Sequence, residues 1–203
     1  MGHHIIELTA PELAEAGSIL GYAFATEPVF LAQLPDSVER LACCTALFTA
    51  SLGHAIRYGG AVGVRQSGGP LLGAAYWTYK PEPELSETEQ AALGFTTVFS
   101  RWGEQLGPIG RAEAEALQSF EELPQPWRYL AAIGVEPDSQ GQGLGSQLLT
   151  RLVADARAAG QPFALMTDRA INVPFYERAG FRTIRHEPVT DLGVPFWSML
   201  LDS

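Results

Sequence analysis

Residues 129–146 constrain this chain more than any other stretch. The apolar run 130–135 has the length of a buried strand. Glu136-Pro137-Asp138 stops that run, and a glycine-rich loop follows, Gln140-Gly141-Gln142-Gly143-Leu144-Gly145. Leu148, Leu149, Leu152, Val153 and Ala156 then recur at helical spacing. The unit reads strand, glycine loop, amphipathic helix. Glycine allows φ > 0 and lets backbone amides approach a ligand closely. The first N–H groups of a helix lack internal partners and carry the positive end of its dipole. The unit is therefore a phosphate site, to which the dipole contributes about 0.3–2 kcal/mol per well-placed anion.

The ligand class follows from spacing. A Walker loop needs Lys-Ser/Thr after its last glycine, and Ser146-Gln147 stands here. A dinucleotide fold wants G-x-G-x-x-G directly on the strand end. Here the third glycine comes one residue early, and residues 136–140 separate Val135 from Gly141. Asp168, at the end of the next apparent strand, sits where a ribose-binding acid would. A nicotinamide-dependent oxidoreductase thus has one feature in its favour and the loop spacing against it.

Two motifs together resemble a known family. Gln140-x-x-Gly143-x-Gly145, preceded by L-x-x-I-G-V-x-P, resembles the acyl-CoA signature of the GNAT superfamily of N-acetyltransferases. Asn172-x-Pro174-Phe175-Tyr176-Glu177-Arg178-x-Gly180-Phe181 resembles that family's N-x-x-F-Y-x-x-x-G-F hallmark. The resemblance is sharp from about Trp127 to Leu201 and diffuse before that. In detail, W-x-Y-L-x-x-I-G-V and N-x-P-F-Y-E-R are most similar to the branch holding puromycin N-acetyltransferase.

The resemblance implies one N-acetyltransferase domain over residues 1–203. Its α/β (α+β) fold would have a mixed, mostly antiparallel sheet of about seven strands flanked by helices. It also implies acetyl-CoA as cosubstrate and a central strand splayed from its neighbour. The backbone of Ile133, Gly134 and Val135 would then pair with the pantetheine arm. One N–H there would stabilise the oxyanion, a contribution of about 2.7–4 kcal/mol per donor. Gln140, Gly141, Gln142, Gly143, Leu144, Gly145 and Ser146 would wrap the pyrophosphate. Tyr176 would be the general acid, since a phenol near pKa 10 stays protonated at pH 7 and can donate to a departing thiolate. Asn172 suits two roles, contact with the cofactor arm or capping of the helix after it.

An amine with pKa near 10.4 is only about 0.04% neutral at pH 7, so a base is useful. The strand before the loop carries no Asp or Glu. Glu27 is the candidate, because the end of the first helix usually faces the acceptor in this family; Asp168, His54 and water come behind it. Trp77 and Tyr79 are either acceptor-site walls or core. With no Cys near either motif, direct attack in a ternary complex is expected. A silent acyl-CoA-binding regulatory module would also keep the loop but has no need of Tyr176. Acetylation of protein N-termini or lysines is a further alternative to a small primary amine.

Composition bounds the rest. The chain of 203 residues carries a formal net charge of −10, which argues against nonspecific nucleic-acid binding and suits a cationic acceptor, although solubility alone also explains it. No apolar run reaches the ~18–20 residues of a membrane span, and the N-terminus lacks a signal-peptide layout. A cytoplasmic monomer or homodimer is expected, with no membrane or nucleic-acid partner. Cys43 and Cys44 are adjacent, poorly placed to bridge each other, and read as reduced core residues. No zinc-ligand spacing is visible.

The expected elements follow in order. A strand over 4–9 precedes a helix capped by Thr9 and ending near 24–28. A second helix runs from Asp36 or Ser37 to about His54, burying Val38, Leu41, Cys44, Thr45, Leu47 and Phe48. Strands over 58–64 and 71–79 form a hairpin. The 86–123 segment is a helical insert, opened by a Ser86/Glu89 capping box and broken at Gly107-Pro108. It serves as acceptor-pocket wall or subunit contact. Strands over 163–167, 181–189 and 195–201 close the chain around a short helix ending at Gly180.

Overall fold

The computed structural model describes residues 2–188 and 192–202. Seven strands lie in one sheet: β1 (His3–Glu7), β2 (Gly59–Gln66), β3 (Leu71–Lys80), β4 (Trp127–Val135), β5 (Phe163–Thr167), β6 (Arg182–Pro188) and β7 (Pro195–Leu201). Their order is β1-β2-β3-β4-β5-β7-β6. Every neighbouring pair is antiparallel except β4 with β5. The mixed, mostly antiparallel sheet expected above is present.

Eight helices flank it among the described residues: α1 (Leu13–Phe24), α2 (Pro28–Gln33), α3 (Ser37–Tyr58), α4 (Glu87–Leu93), α5 (Phe95–Trp102), α6 (Leu106–Leu117), α7 (Leu144–Ala158) and α8 (Val173–Arg178). Local chemistry sets several of their starts. Asp36 accepts from the N–H groups of Val38 at 3.0 Å and Glu39 at 2.8 Å, which fixes the start of α3. The Ser86/Glu89 box forms as expected, with Glu89 N–H donating to Ser86 Oγ at 3.3 Å and Ser86 N–H to Glu89 Oε2 at 3.1 Å.

Five details differ from expectation. The helix α2 was not anticipated. α3 runs one turn beyond His54, to Tyr58, and Val38 is 77% exposed rather than buried, because it sits in the first turn beyond the reach of the core. In the insert, Gly107-Pro108 lies inside α6. Pro108 is the third residue of that helix, where the missing N–H has no helical partner to lose. The breaks fall instead at Gly94 (φ 92°) and Gly103 (φ 52°). Phe181 stands just before β6, and the expected strand end at Val189 lies outside the described residues.

The core has two main layers. α1 and α3 cover one face, with Ile19, Leu20, Cys44 and Phe48 packed on Ala74 and Ala132. α7 covers the other, with Leu148, Leu149 and Leu152 against Leu165 and Met199. The insert is pinned by fully buried Trp102, whose Nε1–H donates to the Cys43 carbonyl at 3.0 Å.

The sheet opens at its centre. β4 pairs with β5 only at Arg128, Tyr129 and Leu130. Beyond Leu130, β5 keeps its pairing to β7 through Thr167 and β4 keeps its pairing to β3 through Val135, so the two strands part. The register between β3 and β4 shifts at Tyr76/Trp77, which leaves Ala131 as an extra residue on β4 where it leaves β5. A bulge of this kind bends and twists its strand. Past the opening, α1 lies close on β4, and a Cβ at Gly134 would stand 2.8 Å from Ala23 Cβ and 3.1 Å from Leu20 Cδ2. Gly134→Ala should therefore destabilise the fold by about 1–3 kcal/mol, read as a lower denaturation midpoint with an unchanged urea slope.

Candidate active site

The parting of β4 and β5 is the centre of a cleft of about 1070 Å³. Register decides which backbone groups face it. Glu136 N–H donates to the Leu72 carbonyl at 2.9 Å, which makes that pair and the Ala74–Gly134 pair the hydrogen-bonded positions of the β3–β4 ladder. Ile133 and Val135, one residue out of phase, turn their N–H and C=O groups toward the opening. The Val135 carbonyl accordingly accepts from Gln140 Nε2 at 3.2 Å. Gly134 borders the cleft, but its own polar groups belong to β3 and its lack of a side chain serves the approach of α1.

At the end of β4 the loop behaves as its glycines require. Gly141 and Gly143 adopt φ of 75° and 77°, and an added Cβ at either would meet nothing within 4 Å. Glycine is thus needed there for backbone conformation, not for space. The first internal bond of α7 runs from Gln147 N–H to the Gly143 carbonyl at 3.0 Å. The N–H groups of Leu144, Gly145 and Ser146 therefore have no partner within the helix. Gln140, Gly141, Gly143, Leu144, Gly145 and Ser146 all line the cleft, whereas the exposed Gln142 does not. Gly143→Ala should cost about 1–2 kcal/mol of backbone strain, seen as a lower melting temperature.

Tyr176, on α8, reaches the same cleft and is 7% exposed. Burial, then the charges of Glu27 and Asp168, push its phenol above the ordinary value, so it is a proton donor throughout the physiological range. Asn172 lines the cleft too. Its side chain donates to Thr167 Oγ1 at 3.2 Å and caps no helix, since its backbone is already helical (φ −81°, ψ −22°).

Glu27 stands at the entry to α2, its carboxylate only 12% exposed and 3.2 Å from Arg169 Nη1. Burial, the charge of Asp168 and a hydrogen bond shared with it raise the Glu27 carboxyl to about 7, against the opposing pull of Arg169. Asp168 has its own structural duty: Oδ2 accepts from Val29 N–H at 2.9 Å, which caps α2 from the end of β5. Two carboxylates are thus held together, one of them tuned toward neutrality.

Sequence reasoning missed the residue that sets this corner. Arg40 is buried and donates Nε–H to the Ala25 carbonyl at 2.6 Å and Nη1–H to the Leu34 and Pro35 carbonyls at 2.5 and 2.9 Å. Those carbonyls bracket α2, so Arg40 clamps the segment that carries Glu27. The signal was an arginine at spacing i, i+4, i+8 with Cys44 and Phe48 on the buried stripe of α3.

On the acceptor side the structure chooses between the two faces of β3. Tyr76, Thr78 and Lys80 face the cleft. Trp77 and Tyr79 do not; the Arg128 guanidinium lies over both rings, 5.3 and 5.8 Å from their centroids. His54 and Asp168 also line the cleft, as do Phe24, Phe30 and Phe48, three rings in mutual contact. The insert supplies a wall through Ile109, Glu113 and Leu117 of α6. Cys43 and Cys44 are absent from the lining, and burial pushes their thiols up to about 11 and about 12.

Comparisons with known proteins agree with this geometry. Among solved structures, the histone acetyltransferase HPA2-related acetyltransferase of Corynebacterium glutamicum superposes with a TM-score of 0.72 at 22% identity, covering 100% of this chain and 97% of that one. Arylalkylamine N-acetyltransferase 2 of Aedes aegypti gives 0.70 at 14% identity, with 98% of each chain covered. The polyamine N-acetyltransferase of Drosophila melanogaster gives 0.67 at 12% identity over 100% of both. At such identities these likenesses bear on the fold. Residues 71–181, more than half of the chain, match the Acetyltransferase (GNAT) family. That span contains the open strand, the glycine loop and Tyr176, and with it the chain belongs to the GNAT family of acetyltransferases.

Proposed function

We propose that this enzyme moves the acetyl group of acetyl-CoA to the primary amine of a small molecule, by direct attack within a ternary complex. The observation that carries the reading is convergence. One cleft joins an unpaired strand edge, unpartnered amides at a helix start, a buried tyrosine and a carboxyl raised to about 7.

Acetyl-CoA supplies an activated acetyl thioester. The N–H and C=O of Ile133 and the N–H of Val135 suit an extended amide-bearing arm laid along β4, as an added strand would lie. The amides of Leu144, Gly145 and Ser146 suit its phosphates. A β4 N–H donates to the carbonyl oxygen as negative charge grows there. Glu27 accepts the first proton from the acceptor's ammonium, the neutral amine forms the C–N bond, and as the C–S bond breaks Tyr176 gives its phenolic proton to the thiolate and is reprotonated by the second proton that leaves the nitrogen. No cysteine lines the cleft to carry an acyl group, which favours direct attack. The wall contributed by α6 favours a bounded small-molecule pocket over a groove for polypeptide chains. Three structural neighbours are acetyltransferases of polyamines, arylalkylamines and agmatine, which supports the same class.

The test is incubation with acetyl-CoA and a panel of primary amines, with mass spectrometry of the products and initial-velocity kinetics. An N-acetylated amine with intersecting double-reciprocal lines is expected. Thiol release without any acetylated amine, or parallel lines, would contradict the reading.

A further inference from the structure

The far end of the cleft, away from the glycine loop, is polar in a way the transfer step does not use. Among the described residues, four carboxylates (Glu27, Glu82, Glu113 and Asp168) and two cationic side chains, Lys80 and Arg169, line the cleft. Arg169 is engaged with Glu27 at 3.2 Å. Lys80 is engaged with Glu82 at 2.7 Å, and its ammonium lies 5.0 Å from the centroid of the Tyr129 ring. Glu82 also accepts from Thr78 Oγ1 at 2.8 Å. Glu113, on α6, has no hydrogen bond or ion pair among the described residues, although it borders the same space.

Two deeply buried polar side chains line that end as well. Tyr129 is 6% exposed and His54 is 5% exposed. Neither the Tyr129 hydroxyl nor the His54 ring has a hydrogen-bond partner among the described residues. Both side chains line the cavity, where a ligand can supply the missing partner. Burial lowers the His54 pKa, so His54 does not supply the missing positive charge at pH 7. Burial likewise raises the Glu113 carboxyl, Lys80 lowering and Glu82 raising it further, and a cation beside it would restore its charge.

Register gives the scale. Tyr129 lies on the same strand as Ile133, four residues before it, with Thr78 and Ala75 as their partners on β3. Those partners are three residues apart, because Ala131 is the bulged extra residue, so at about 3.3 Å per residue this end is roughly 10 Å along the strand from Ile133. That is the reach of an acceptor with a second polar group, not of a bare short amine.

Resting on the acetyl-transfer reading above, we propose that the acceptor is a diamine: one amine is acetylated beside Glu27 and Tyr176, and the second, as an ammonium, is held by Glu113 with the Tyr129 hydroxyl. Glu113 is then a specificity-determining residue that the helical insert contributes. The charge excess of the lining suits a dication, and the insert explains how a common fold acquires this selectivity.

The test compares kcat/KM for n-alkylamines and for α,ω-diamines of matched length, from about three to about eight methylenes. The wild-type enzyme should prefer the diamine by about 10–100-fold at its best length, the range for a charged hydrogen bond. Glu113→Gln should bring that ratio close to one, mainly through KM, while Glu104→Gln, exposed on the same insert, keeps the wild-type ratio. Titration of Glu113→Gln with acetyl-CoA serves as the check that its cleft is folded. Equal use of monoamines and diamines, or an unchanged ratio in Glu113→Gln, would overturn the diamine proposal and leave acetyl transfer standing. Absence of acetylated product from every amine would overturn both.

Discussion

Tyr176→Phe should lower kcat by about 10²–10³-fold while leaving the Kd for acetyl-CoA within about twofold, the signature of a lost proton donor. The substitution removes one oxygen from a residue that is 7% exposed and packed edge-on against Phe175 and Phe181, at centroid distances of 5.1 and 6.1 Å. The ring stays, so the packing stays, and the fold should change little. What disappears is a phenol whose proton is held by burial and by the neighbouring Glu27 and Asp168 charges. A thiolate leaves readily when its conjugate acid has a pKa near 8.5, which caps the loss below that for a poorer leaving group. Stopped-flow turnover and calorimetry separate the two effects. Unchanged turnover would remove Tyr176 from the mechanism.

Glu27→Gln should cost a similar factor at pH 8 and also change the shape of the pH profile. The Glu27 carboxyl is raised to about 7 by burial and Asp168, so its base form grows as pH rises through that value. Wild-type kcat/KM should climb about tenfold per pH unit below 7 and flatten above it. Gln has no proton to lose there, so that limb should vanish in the variant. Stability runs the other way. A carboxyl whose folded pKa lies above its usual 4.5 favours the folded state when protonated, and that contribution is lost as pH rises through about 7. Glu27→Gln should therefore raise the melting temperature relative to wild type at pH 8 and differ little from it at pH 4. A pH limb that persists in the variant would assign the base elsewhere, with Asp168 next.

The parts of this site written in contiguous residues were legible from sequence. The run 130–135, the glycine loop and the stripe from Leu148 to Ala156 appear as β4, the loop and α7, because strand length, glycine spacing and helical period all agreed locally. β5 and β7 appeared with their expected bounds for the same reason. The helix α2 was not legible because its N-terminus is capped by Asp168, 139 residues away, and no local capping residue announces it. On β3 the two adjacent aromatics of one face, Trp77 and Tyr79, drew the sequence reading as walls or core, and the other face was not considered. Pairing with β4 and the shift at Tyr76/Trp77 turn Tyr76, Thr78 and Lys80 to the cleft. Glu113 was silent because an acid on a short amphipathic helix is usually solvated, and only the docking of α6 on the acceptor side brings it to the cavity.

The opened strand and the glycine loop make one claim above the others, that this cleft takes acetyl-CoA. Isothermal titration of the purified protein with acetyl-CoA, with NAD as control, tests it most directly. The account predicts saturable one-to-one binding of acetyl-CoA in the micromolar range, weakened at least about tenfold by Gly143→Ala, and no heat from NAD. NAD binding, or no acetyl-CoA binding by a folded protein, would contradict it.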